Sequence, residues 1–158
     1  MRREFTQSEI EKIRKDPDEH DWRSISYDYI LSEDFIREFQ NDVVWYSISS
    51  GQKLSEDFMR EFQNRLNWDW ISFYQILSEE FIREFKNQIN WRYICRIQVL
   101  SENFIREFQN KVDWFYICYR QNLSKQFIAE FINKINFNLL LSNNYISKEV
   151  KDYCRMFI

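Results

Sequence analysis

The chain of 158 residues contains one glycine, one proline and one histidine. So little glycine and proline leaves few positions for tight turns, which disfavours a sandwich or barrel of short strands. Gly51 is the only glycine, so no glycine-rich loop is available to cradle a phosphate. His20 stands alone, and no Cys/His grouping has metal-ligand spacing. No apolar run approaches the ~18 residues of a membrane span. Met1-Arg2-Arg3-Glu4 leads into a polar segment, not the apolar core of a signal peptide. The three cysteines are an odd number. Stacked helices lie ~8–10 Å apart and a disulfide needs Cα atoms within ~7 Å. Cys95 and Cys118, at the same place in neighbouring repeats, are therefore expected to be reduced. Cys154 has no partner. These absences predict an intracellular, reducing compartment and no secretion.

What is abundant is aromatic and charged side chains, 19% and 30% of the chain, with a net charge of −3. Both signs are interspersed, so nothing marks a bulk nucleic-acid binder. The dominant feature is one 23-residue phrase written five times, beginning at Leu31, Leu54, Leu77, Leu100 and Leu123. A fixed short period means stacked supersecondary units.

Each phrase reads as two short helices. Ser32 is an N-cap followed by Glu33 and Asp34 in the first turn. Leu31 and Ile36 occupy the two positions of a hydrophobic staple, as do Leu54/Met59, Leu77/Ile82, Leu100/Ile105 and Leu123/Ile128. Asn41 and its equivalents Asn64, Asn87, Asn110 and Asn133 are placed to close a helix of about eight residues in the left-handed conformation. Asn67, Asn90, Asp113 and Asn136 then cap a second helix, with Val44 in their place in the first repeat. A Trp or Phe follows the cap, and the second helix runs to Gln52, Gln75, Gln98 and Gln121. Helices this short are marginal alone. Each must bury its apolar face against the next unit, the logic of an α-solenoid.

The expected fold is therefore all-α: a single α-solenoid domain over residues 1–158, with a right-handed superhelix. Residues 5–30 form a diverged N-terminal capping unit, with a Thr6/Glu9 capping box and a Phe5/Ile10 staple. The repeats span 31–53, 54–76, 77–99, 100–122 and 123–145, and a capping helix from Ser147 closes 146–158. Thirteen helices are expected.

The phrase LSEDFIREFQN…W…IS…Q resembles tandem repeats in proteins of large DNA viruses of amoebae, of the mimivirus and marseillevirus kind. The resemblance covers residues 31–145 and, weakly, 5–30. It implies a viral repeat protein acting in the host cytoplasm or virion, and it transfers no catalytic residue. The chain is also similar in architecture to tetratricopeptide-type solenoids, with a shorter period and none of their signature residues.

No catalytic, cofactor-binding or metal-binding residue is assigned, and a non-catalytic protein is expected. Arg37, Arg60, Arg83 and Arg106 form a ladder beside Glu38, Glu61, Glu84 and Glu107. It reads as salt bridging between repeats, with a polyanion strip as the alternative. Trp45, Trp68, Trp91 and Trp114 read as core packing, with base stacking as the alternative. Positions that vary between repeats are free of the stack's demands. On the second helix they fall on one face: Tyr46, Asp69, Trp70, Phe73, Tyr74, Arg92, Tyr93, Arg96, Phe115, Tyr116, Tyr119 and Arg120. Aromatics with Arg are the composition of interface hot spots. The expected role is a scaffold that binds a protein or peptide in virus–host interaction or assembly. Nucleic-acid binding along the Arg ladder and self-assembly are the alternatives, and no membrane partner is expected.

Overall fold

The computed structural model describes residues 2–158. Its residues group into two compact units, Met1–Gln75 and Ile76–Ile158. The first holds β1 (Arg3–Glu4), α1 (Gln7–Lys15), a 3-10 turn at Pro17–Glu19, α2 (Trp22–Asp28), β2 (Tyr29–Ile30), α3 (Glu33–Glu38), α4 (Trp45–Gly51), α5 (Glu56–Glu61) and α6 (Trp68–Tyr74). The second holds α7 (Glu79–Glu84), α8 (Trp91–Ile97), α9 (Glu102–Glu107), α10 (Trp114–Arg120), α11 (Lys125–Glu130), a 3-10 turn at Ile132–Lys134, α12 (Phe137–Ser142), α13 (Lys148–Cys154) and a last 3-10 turn at Arg155–Phe157. In the first unit α2 packs on α4 and α4 on α6; in the second α8 packs on α10, α10 on α12 and α12 on α13. The fold class is an all-α repeat solenoid, and thirteen helices are found among the described residues.

The caps form as the spacing predicts. Ser32, Ser55, Ser78, Ser101 and Ser124 each accept the backbone N–H three residues on. Asp21, Asn67, Asn90, Asp113 and Asn136 cap the second helices, accepting backbone N–H groups two or three residues on. Val44 has no side chain for this, and its own N–H is taken by Ser26 Oγ at 2.9 Å. The Thr6/Glu9 capping box is present in both directions.

Two details depart from the sequence reading. The first helices are six residues long, and no described residue has a positive φ. The helix ends instead at Phe39, φ −108° and ψ 32°, and the chain turns on Asp42 and Val43 N–H bonds to the Phe39 carbonyl. A right-handed turn satisfies the helix end, so the left-handed residue is not needed. Asn41 Oδ1 accepts from Arg65 of the next repeat, at 3.1 Å. The second departure is a strand pair. Arg3 and Glu4 pair in parallel with Tyr29 and Ile30, and Phe5 stacks on Tyr29 at 4.0 Å.

The core is a set of repeated rows. Phe58 and Ile71 are fully buried in the first unit, as are Phe81, Ile94, Phe104, Ile117, Phe127 and Leu140 in the second. At ~1.5–3 kcal/mol for each such side chain, the rows supply what helices of six or seven residues lack alone.

Buried glutamines tie one repeat to the next. Gln121 Oε1 accepts the Leu100 N–H at 2.9 Å, and its Nε2 donates to the carbonyls of Gln98 and Cys95 at 2.8 and 3.1 Å. Gln52 serves Leu31, Tyr29 and Ser26 likewise, and Gln75 serves Leu54 and Gln52. In the last repeat α12 ends early and the shorter Asn143 takes the role, donating to Cys118 and Gln121 at 2.9 and 2.8 Å.

Gln121→Ala strands one buried N–H and two carbonyls. At ~1–3 kcal/mol for each unsatisfied buried group, the expected loss is ~3 kcal/mol or more. Gln126→Ala, at an exposed position of α11, is expected to stay within ~0.5 kcal/mol of the wild type. Urea titration followed by circular dichroism reads both.

Candidate functional site

The side chains that recur in every repeat are engaged by the stack. Arg37 Nε donates to Glu61 at 2.8 Å, Arg83 to Glu107 and Arg106 to Glu130 at the same distance. Each guanidinium also lies 5.1 Å from a ring of the next repeat: Phe58, Phe104 and Phe127. The capping unit joins the series through Arg14 and Glu38, and the Arg14 partner holds the Glu38 carboxyl below its ordinary range. At the other end Lys125 reaches Glu149. The Arg ladder is thus a row of ion pairs between repeats, each exposed pair adding little.

The tryptophans are committed too. Trp45 Nε1 donates to the Gln40 carbonyl and Trp114 Nε1 to Gln109, at 2.9 and 3.0 Å. Their rings lie against Phe62 and Phe131 of the following repeat, at 4.9 and 5.2 Å. The first-turn acids bridge repeats as well: Glu33, Glu79 and Glu102 accept the N–H of Ser55, Ser101 and Ser124. His20 follows the 3-10 turn at Pro17–Glu19, half-buried beside Asp21.

A second buried ladder runs through the cysteine positions. Ser49 Oγ accepts the Asn67 N–H at 2.9 Å, and Ser26 does the same for Val44. In the second unit Cys95 Sγ accepts from Asp113 and Cys118 Sγ from Asn136, at 3.3 and 3.4 Å. All three cysteines are free and buried. Burial pushes the Cys95 thiol from 9.0 up to about 12, and raises Cys118 and Cys154 above the ordinary value.

The variable positions have a different fate. In the first unit Tyr46 and Tyr74 are 56% and 53% exposed. Tyr46 meets Trp70 edge-on at 5.5 Å, Trp70 lies 5.5 Å from Tyr74, and Phe73 packs edge-on against Tyr74 at 4.7 Å. Asp69 is exposed beside them, while Trp70 and Phe73 are half-buried. The exposed Tyr27 of α2 belongs to the same face. With Asp21, Asp28 and Tyr46 it lines a groove of about 570 Å³.

In the second unit Phe115 and Tyr119 are 52% and 41% exposed, and Phe115 packs on Tyr116 and Tyr119. Arg92 lies over the Tyr116 ring at 5.8 Å, and Arg120 over Tyr145 at 5.4 Å. Arg92, Arg96 and Arg120 are exposed, while Tyr93 and Tyr116 are half-buried. A groove of about 250 Å³ is lined by Arg96, Arg120, Val99 and Tyr145. Five of the twelve expected residues lie in the first unit, where Tyr46, Trp70, Phe73 and Tyr74 touch, and seven in the second, where Phe115, Tyr116, Tyr119 and Arg92 form one group and Arg96 and Arg120 line the groove. Tyr27 and Tyr145 were not among them, although continuing the 23-residue register from Asp21-Trp22 and from Asn122 reaches both.

The two clusters differ in charge. The first unit has ten Lys and Arg against sixteen Asp and Glu, a net −6. The second has twelve against nine, a net +3, which together give the chain's −3. Among the described residues no group of three His, Cys, Asp or Glu is placed to hold a metal, and no helix is long and apolar enough to cross a membrane.

The raised thiol sets an alkaline dependence. Unfolded chain releases the Cys95 proton near its ordinary 9.0 while folded chain retains it to about 12. This thiol's contribution is therefore present below pH 9 and lost as pH rises toward 12. Cys95→Ser keeps the acceptor for Asp113 and removes the ionisation. From about pH 8 to about pH 10.5 the wild type is expected to lose more thermal stability than the variant, read by differential scanning calorimetry.

Compared with protein-family profiles, with curated proteins and with solved structures, the chain matches none of them.

Proposed function

We propose that the protein is a non-catalytic repeat scaffold whose second-helix face binds a protein or peptide partner. The observation that carries this reading is a division of labour among the side chains. The recurring Arg, Glu, Gln, Ser and Trp are consumed in bonds between or within repeats. The variable Tyr46, Tyr74, Phe115 and Tyr119 keep between 41% and 56% of their surface in solvent. Tyrosine and Trp beside Arg are what hot spots are made of, because each offers large, stiff, partly apolar contact area. Helices locked by caps and staples hold these rings in place, so little ordering entropy is lost on binding.

The ion-paired Arg ladder and the hydrogen-bonded tryptophans weigh against the nucleic-acid alternative, which relied on both. The resemblance to repeats of amoeba viruses makes virus–host interaction or assembly the setting we propose.

The test is affinity capture of tagged protein from infected-host lysate at ~150 mM salt, with and without nuclease, read by mass spectrometry. The comparison chain carries Phe73→Ala, Arg96→Ala and Tyr119→Ala. A discrete, nuclease-resistant partner is expected with wild type and is expected to be lost with the triple variant, whose circular dichroism stays unchanged. Equal capture by both chains would sink the proposal, as would recovery of nucleic acid alone.

A further inference from the structure

Resting on that reading, we infer that the groove of the first unit takes an arginine side chain of a peptide partner. Its guanidinium stacks on Tyr27 and Tyr46 and bonds to Asp28 and Ser47.

The first argument is shape, and it starts from the register of the repeats. The third residue of the second helix is Trp70 in α6, Tyr93 in α8 and Tyr116 in α10, each half-buried. In α2 and α4 the same place holds Ser24 and Ser47. A serine where other repeats carry a bulky ring leaves room. The groove of about 570 Å³ lies there, lined by both serines together with Tyr27 and Tyr46.

The second argument is an unused hydroxyl. Ser24 Oγ donates to Asp28 at 2.8 Å, and Ser49 Oγ donates to the Trp45 carbonyl at 2.7 Å. Ser47 is bonded through its backbone alone, its carbonyl accepting from Ser50 Oγ at 3.4 Å. Ser47 is only 7% exposed. Among the described residues no fully buried side-chain oxygen lacks a partner, so this hydroxyl reaches the groove. A nearly buried hydroxyl gains from a donor that a ligand brings.

The third argument is charge. Asp21 and Asp28 line the groove against one cation, Arg23, in a unit of net −6. Asp21 uses Oδ1 to cap α2, and Asp28 uses Oδ2 to accept from Ser24. The second oxygen of each carboxylate is left to accept from a ligand. A guanidinium is drawn to such a lining and a phosphate backbone is repelled.

The fourth argument is the rings. Tyr27 and Tyr46 are 59% and 56% exposed. The chain already places one cation on Tyr27: the Arg2 guanidinium lies 5.1 Å from the ring centre and donates to the Gly51 carbonyl at 2.6 Å. Most of the Tyr27 surface stays open beside it, and Tyr46 is held edge-on to Trp70. A cation within ~6 Å of a Tyr ring is attracted to its face. Arginine suits the groove better than lysine. Its plane stacks on a ring while its forked donors reach a carboxylate and a hydroxyl together.

The test uses the full chain and short capped peptides of alanine and serine, alike except at one central residue. That residue is arginine, its neutral isostere citrulline, or lysine. Binding is read by NMR titration of the Tyr27 and Tyr46 ring signals at ~100 mM salt, where the Debye length is ~10 Å. The arginine peptide is expected to bind at least ~10-fold tighter than the citrulline peptide, and tighter than the lysine peptide. Asp28→Asn with Tyr46→Leu is expected to abolish the arginine preference. Ser47→Trp, which places at the groove the residue that α6 has in register, is expected to abolish binding with the circular dichroism unchanged. Glu11→Gln removes the same charge away from the groove and is expected to leave the preference intact. Equal affinity for arginine and citrulline overturns the inference, as does tighter binding of lysine or a preference that survives both groove variants. Self-association that the arginine peptide fails to displace, read by sedimentation velocity, overturns it in favour of a second copy. If citrulline binds as well as arginine while the triple-alanine capture still shows its loss, the cationic chemistry fails and the docking face stands. If no peptide binds and that capture shows no loss, the docking face fails as well.

Discussion

Helices of six or seven residues leave most of their backbone groups without an internal partner. An α-helix has four orphan N–H groups at one end and four orphan C=O groups at the other, so here the ends nearly meet. Everything recurrent in this chain answers that constraint. Serine and Asn or Asp caps take the N-terminal donors. Glutamine side chains, buried and supported from the next repeat, take the turn carbonyls and the staple leucine N–H. Serine or cysteine at one buried position takes the N–H of the following cap residue. No buried side-chain nitrogen or oxygen among the described residues is left without a partner.

That economy explains why so much polar chemistry in the sequence is structural. A Gln that repeats every 23 residues is there because each turn needs the same three bonds. The Arg–Glu rows do comparable work outside, where their contribution to stability is small but their register is fixed. The cysteines are the instructive case. They stand where the first unit has Ser26 and Ser49, they accept the same backbone donor, and their thiols are driven toward the neutral form by burial. Thiolate chemistry is disfavoured at such a place.

What the stack does not require is left to the second-helix face. There the two units diverge, the first acidic with Asp21, Asp28 and Asp69, the second basic with Arg92, Arg96 and Arg120. Both keep tyrosines open to solvent. A rigid scaffold with a varied aromatic face suits recognition, since its geometry is set before any partner arrives.

The sequence by itself determined the period, the helix starts, the staples and the all-α class, because caps and 3.6-residue periodicity are local signals that act within a few residues. Periodicity also separated Tyr46, Phe115 and Tyr119 from the buried rows. Helix ends were less legible: Asn41 suits a left-handed closure, yet the chain closes on the Phe39 carbonyl with φ negative throughout. The strand pair of Arg3–Glu4 with Tyr29–Ile30 joins segments more than twenty residues apart and leaves no local pattern. Only the tertiary structure decided that Arg37 meets Glu61 and not Glu38, that Asn143 replaces a glutamine, and that Arg120 lies over Tyr145. Such pairings depend on the offset between stacked repeats, a quantity fixed by how the cores pack.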